Sequence, residues 1–246
     1  MEIIAPIVIL LLILFIFFKS RSHVNLMKGA NLYSKGDIDK SLQYLKKAWL
    51  ASPQKSKYGM HYAYFLLKAG KVNESEEVFI KVFKLKLKHD EEMLLRSNYA
   101  LVLWKKDKLE EAIAMLEKVL ETYKNSLVLG SLGYLLIQSK NYEKALEFNK
   151  MAYEYNDADK IILDNYGNIL YLTGNLEEAL NIYNKLEKLE PSFPDAYYNF
   201  GLLQLMLGNN QEAQRLFEKA KKYRISFLST ITSEDIEKKL TKECNT

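Results

Sequence analysis

The chain has 246 residues, a formal net charge of +4 and 27% charged residues of mixed sign, a balance that does not point to a nucleic-acid surface. One cysteine, Cys244 in a polar tail, excludes an internal disulfide and a four-cysteine metal site. With four prolines, ten glycines and no run of strand-like alternation, long helices are easy to build.

The first element is Ile3 to Phe18, an unbroken apolar run of sixteen residues with Lys19 and Arg21 directly after it. As a helix the run spans about 24 Å, just short of the usual membrane-crossing length. A cleavable signal peptide calls for a basic start and a small-x-small exit. Here the start is Met1-Glu2 and the exit Phe17-Phe18-Lys19-Ser20-Arg21-Ser22. The expectation is one transmembrane signal anchor over residues 1–21, touching the lipid bilayer through Ile3 to Phe18. The positive-inside rule then predicts a single-pass membrane protein whose remainder faces the cytoplasm.

From Ser22 to Ser229 one pattern recurs six times. Gly29, Ala63, Ala100, Gly133, Gly167 and Gly201 follow one another at intervals of 34, 37, 33, 34 and 34 residues. Twelve residues after each stands another small one: Ser41, Ser75, Ala112, Ala145, Ala179 and Ala213. Such a period is the mark of a helix-turn-helix array. Small residues at both places let two helices of a hairpin cross closely, and a bulky one there costs about 1–3 kcal/mol by overpacking. Apolar residues at three- and four-residue intervals give each helix one stripe, and stacked hairpins bury those stripes continuously. Gly36, Gly70, Gly174 and Gly208 fall where a first helix ends in a left-handed cap, with Asp107 and Lys140 replacing glycine in the two middle copies.

The fifth and sixth copies, Leu163 to Pro191 and Tyr197 to Ala220, carry the most detail. They resemble the tetratricopeptide repeat (TPR) family through Leu163, Tyr166, Gly167, Leu170, Ala179, Tyr183, Leu186 and Pro191, and through Tyr197, Phe200, Gly201, Ala213, Phe217 and Ala220. The resemblance implies an all-α fold, a right-handed α-solenoid of about six TPR repeats starting near residues 22, 56, 93, 126, 160 and 194 and preceded by the transmembrane helix. Residues 230–246 are expected to form a capping helix and tail, begun by Thr232-Ser233-Glu234-Asp235 and covering the last repeat with Ile236 and Leu240.

Motifs for chemistry are lacking. There is no phosphate-binding glycine loop and no Gly-x-Ser-x-Gly, and His23, His61 and His89 lie in separate segments. The pairs Glu76-Glu77, Glu110-Glu111 and Glu177-Glu178 open second helices, where carboxylates complement the helix dipole. No enzyme activity, cofactor, metal, nucleic acid or small-molecule substrate is expected. By the family's pattern the first helix of each repeat lines a groove. That pattern implies Tyr64, Asn98, Trp104, Tyr134, Asn165, Asn168, Tyr171, Tyr198 and Asn199 as partner-binding residues. The asparagines suit an extended peptide backbone; the alternative is that they bond neighbouring helices. Asn168 and Asn199 match the two asparagines of the family's carboxylate clamp, but Asp164 stands where a clamp lysine belongs, so that clamp is not expected. The sequence is therefore read as a membrane-anchored TPR scaffold that binds a protein or peptide and assembles complexes at the membrane. The alternatives are an extracytoplasmic assembly module for secreted or envelope proteins and a non-catalytic subunit of an enzyme complex.

Overall fold

In the computed structural model residues 21–242 are described, and everything regular among them is helical. Helix α1 covers residues 21–34. It is followed by α2 (Ile38–Leu50), α3 (Ser56–Lys68), α4 (Val72–Phe83), α5 (His89–Lys105), α6 (Leu109–Leu120) and α7 (Ser126–Gln138). Then come α8 (Tyr142–Tyr155), α9 (Lys160–Leu172), α10 (Leu176–Lys188), α11 (Pro194–Met206), α12 (Asn210–Lys221) and α13 (Ser233–Lys242). The chain divides into two compact units, residues 1–102 and 103–246, the division falling inside α5.

The expected transmembrane helix has to be corrected. Among the described residues no helix is long and apolar enough to cross a membrane. The longest of the described helices, α5, has 17 residues and carries Asp90, Glu91, Glu92 and Arg96. The second helices α2, α4, α6, α10 and α12 are short and striped, built to bury one face on another helix. The run Ile3 to Phe18 lies outside the described residues. The anchor, the bilayer contact and the single-pass cytoplasmic topology derived from it are accordingly dropped.

Helix α10 shows how the sequence writes such a stripe. Ala179, Ile182, Tyr183 and Leu186 are its buried residues, at spacings of three, one and three. Glu177 and Glu178 sit in its first turn and Lys185 and Lys188 in its last, each sign favoured by the dipole there. Complete burial of a large apolar side chain in such a stripe contributes roughly 1.5–3 kcal/mol. The sharp turns between first and second helices share one geometry. Gly36, Gly70, Gly174 and Gly208 have φ between 79° and 86°, and Asp107 and Lys140 adopt φ of 62° and 60° at the equivalent places. After five of these turns the next N–H reaches back to the helix, as from Asp37 to the Leu32 carbonyl and from Asn175 to that of Leu170. These bonds satisfy carbonyls that the helix end leaves open.

The first unit packs α2 on α3 and α3 on α4. Its crossings are tied by hydroxyls: Ser41 Oγ donates to the Gly29 carbonyl and Ser75 Oγ to that of Ala63, both at 2.7 Å. In the second unit α7 packs on α8, α8 on α9, α9 on α10, α10 on α11 and α11 on α12. First helices also touch directly, α7 with α9 and α9 with α11, so they form one layer. The close approach at Gly167 and Gly201 serves a ring four residues beyond the small partner that the sequence suggests. A Cβ on Gly167 would lie 2.9 Å from Tyr183, and one on Gly201 2.6 Å from Phe217. Helix α13 packs on α12 and buries Ile236 and Leu240, and its start is closed by Thr232 and Asp235 bonding each other's N–H.

Candidate functional site

In the second unit the layer of first helices carries seven of the nine residues singled out from the sequence. Trp104 ends α5, Tyr134 lies on α7, Asn165, Asn168 and Tyr171 on α9, and Tyr198 and Asn199 on α11. Trp104 and Tyr134 are brought together edge to face, with centroids 5.3 Å apart and planes at 81°. Lys105 Nζ sits 3.9 Å from the centre of the Trp104 ring. Such cation–ring contacts contribute roughly 0.5–2 kcal/mol, more as water is excluded.

The segment between α12 and α13 lies against these helices. Phe227 meets the same ammonium, its ring centre 4.9 Å from Lys105 Nζ. The Tyr134 hydroxyl donates to the Leu228 carbonyl at 3.3 Å and lies 3.4 Å from Thr230 Oγ1. Ser229 Oγ donates to Asp195 Oδ1 on α11 at 2.6 Å. The segment is held in a tight turn by Ser226, whose Oγ accepts from the Leu228 N–H and whose carbonyl accepts from the Ser229 N–H. Serine in that role follows ordinary turn chemistry.

Two carboxyls belong to the same layer. Asp164 on α9 is 7% exposed, and burial, with a second contribution from the Asp195 charge, pushes its pKa up to about 8. A neutral carboxyl is what a site with little water favours. The Asn199 amide donates to Asp164 Oδ1 at 3.2 Å. Burial also raises Asp195, against the Ser229 hydrogen bond. Burial lowers Lys105 and raises Tyr134.

Two of the asparagine amides bond across helices. Asn165 Nδ2 donates to the Gly130 carbonyl of α7 at 2.8 Å, and Asn199 is engaged with Asp164. Asn168 and Tyr171 are half-buried, and Tyr198 is buried with its ring tilted against Phe217 at 5.6 Å. The other two residues lie in the first unit. Tyr64 is edge-on to Phe65 and under Lys68, while Asn98 Nδ2 donates to Leu94 of its own helix. Asp195 and residues 227–230 escaped the sequence reading. The available signal was Phe227, an aromatic residue between serines at the end of the sixth copy, beyond its last patterned position Ala220. Among the described residues no group of three or more His, Cys, Asp or Glu could hold a metal ion.

The fold is an all-α array of stacked helical hairpins, similar to those of tetratricopeptide repeat proteins. Family models described as tetratricopeptide or TPR repeat match residues 99–160, 167–208 and 194–224. No curated protein matches the sequence. Among solved structures, the PilF protein of Pseudomonas aeruginosa is 16% identical with a TM-score of 0.59, covering 91% of this chain and 99% of its own. PilW, described as a widely conserved type IV pilus biogenesis factor, is 16% identical with a TM-score of 0.62, covering 91% and 98%. The Cut9-Hcn1 hetero-tetramer of the APC/C is 13% identical with a TM-score of 0.64, and the match covers 90% of this chain and 42% of that one. At these identities the likeness is one of fold.

Proposed function

We propose that the chain is a non-catalytic assembly module that grips a protein segment on its first helices and so builds complexes of secreted or envelope proteins. On this reading residues 22–229 act as six repeats and residues 230–246 as their cap. The observation that carries the proposal is the aromatic row Trp104, Tyr134, Tyr171 and Tyr198 on first helices, of which α7, α9 and α11 lie side by side. Aromatic anchors of this kind concentrate binding energy, because a large rigid surface is buried at little entropic cost. The likeness in fold to PilW, a type IV pilus biogenesis factor, is in keeping with an assembly role.

The test is crosslinking and capture of the full-length protein from its native cells. Tyr171→Ala is expected to weaken capture of the specific partner by roughly 1–3 kcal/mol with an unchanged melting temperature. Lys185→Ala, on a second helix and paired there with Asp157, is expected to change nothing. Loss of capture with Lys185→Ala but not with Tyr171→Ala would place the partner on the other face.

A further inference from the structure

The first-helix layer of the second unit already holds a short non-helical segment, folded in a tight turn at Phe227-Leu228, and that segment is the chain's own. Three contacts of different chemistry fix it within four residues. An aromatic ring lies over Lys105, a main-chain carbonyl accepts from Tyr134, and a hydroxyl donates to Asp195. The last two are contacts that any segment of suitable sequence could make, since one uses backbone and the other a single hydroxyl.

We propose that this layer is a recognition surface for a segment with an aromatic residue two positions before a serine or threonine, and that Phe227-Leu228-Ser229 is its resident intramolecular occupant, which an incoming segment of the same chemistry displaces. The proposal rests on the peptide-gripping reading above and names the chemistry of its partner. The occupant is built to leave. Residues 224–232 form no helix, and Phe227 keeps 43% of its surface exposed. Both ends are held independently of the layer. Helix α13 stays on α12 through buried Ile236 and Leu240 and the Lys221–Glu237 pair at 2.8 Å. Lifting the segment therefore leaves α13 in place. It would uncover Lys105, Tyr134 and Asp195, polar groups now partly covered, and these set the demand for a replacement. A tethered occupant competes at an effective concentration on the order of millimolar, so modest contacts suffice to exclude free segments.

The experiment uses the full chain and a fluorescein-labelled peptide of residues 224–232, with anisotropy as the readout. The wild-type protein is expected to bind the peptide weakly. Phe227→Ala is expected to bind it at least tenfold more tightly, and adding Trp104→Ala to that variant to abolish the gain. Ser229→Ala, which removes only the hydroxyl contacts, provides the same comparison if Phe227→Ala melts early. Equal binding by wild type and both strap variants, whether tight or absent, overturns the proposal. So does a wild-type dimer that the Phe227 change dissolves, since the occupant would then come from a second copy. Native capture that still depends on Tyr171 while the peptide result is negative would leave the assembly reading standing and remove only this inference. Peptide binding without any Tyr171-dependent partner would do the reverse.

Discussion

The two units solve the same packing problem with different chemistry. In the first, serines at the crossings bond the facing backbone, as Ser41 does to Gly29 and Ser75 to Ala63. In the second, alanines occupy those places, and glycines make room for the flat rings of Tyr183 and Phe217. Tyr183 in turn stacks on Phe200 at 5.3 Å with planes 9° apart. The period of about 34 residues thus demands a small residue where helices cross, but leaves open whether a hydroxyl or an aromatic ring closes the gap. The units also differ in their polar interiors. The second buries Asp164 and half-buries Asp195 in its first-helix layer, where burial raises both and the Asp195 charge adds to the cost of ionising Asp164.

The largest effect that would break this comparison is at the ring crossings. Gly201→Leu should destabilise by about 3 kcal/mol in urea unfolding, because even its Cβ would press on the Phe217 ring. Ser75→Ala should cost only about 1 kcal/mol, the net worth of its hydrogen bond. Equal costs would show that hydroxyl and ring crossings are equally tight.

The buried carboxyl gives the next effect. Asp164 is raised to about 8 from an ordinary 3.8, so the folded chain holds a proton that the unfolded chain has released over that window. Its contribution is fully present below about pH 4 and is lost as the pH climbs towards 8. Asp164→Asn keeps an acceptor for Asn199 and removes the titration. The variant should gain on the order of 2 kcal/mol over wild type between pH 5 and pH 8 in denaturant titrations. Parallel pH profiles for the two proteins would mean that Asp164 is ionised in the fold.

The smallest effect concerns the turns. The first unit has glycine at both of its left-handed caps, Gly36 and Gly70, whereas the second strains Asp107 and Lys140 into that conformation. Lys140→Gly should stabilise by up to about 1 kcal/mol, and Gly174→Ala should destabilise by at least as much, both read as shifts in the unfolding midpoint. A destabilising Lys140→Gly would show that lysine's lower unfolded-state entropy outweighs its backbone strain.

Much of the fold was legible because its causes are local and repeated. Paired small residues, three- and four-residue apolar spacing and the cap glycines all lie within one hairpin. Asp107 and Lys140 could be placed as cap residues by register alone, against their own preferences. The capping helix followed from Thr232 and Asp235 with Ile236 and Leu240. The site was less legible. That Trp104, Tyr134, Tyr171 and Tyr198 sit on first helices follows from the repeat phase. The direction of each asparagine amide does not, since Asn165 reaches Gly130 across 35 residues and Asn98 only Leu94 in its own helix.

The sequence by itself determined the helices, their stripes and the sharp turns between them, since each depends on side chains within a few residues of one another. Only the tertiary structure decided what covers the first-helix layer of the second unit. Tyr134 and Leu228 are 94 residues apart, and their bond carries no period and no spacing that a chain read in order could reveal. The same holds for Asp164, whose protonation is set by burial and by the charge of Asp195 once α9 and α11 lie side by side.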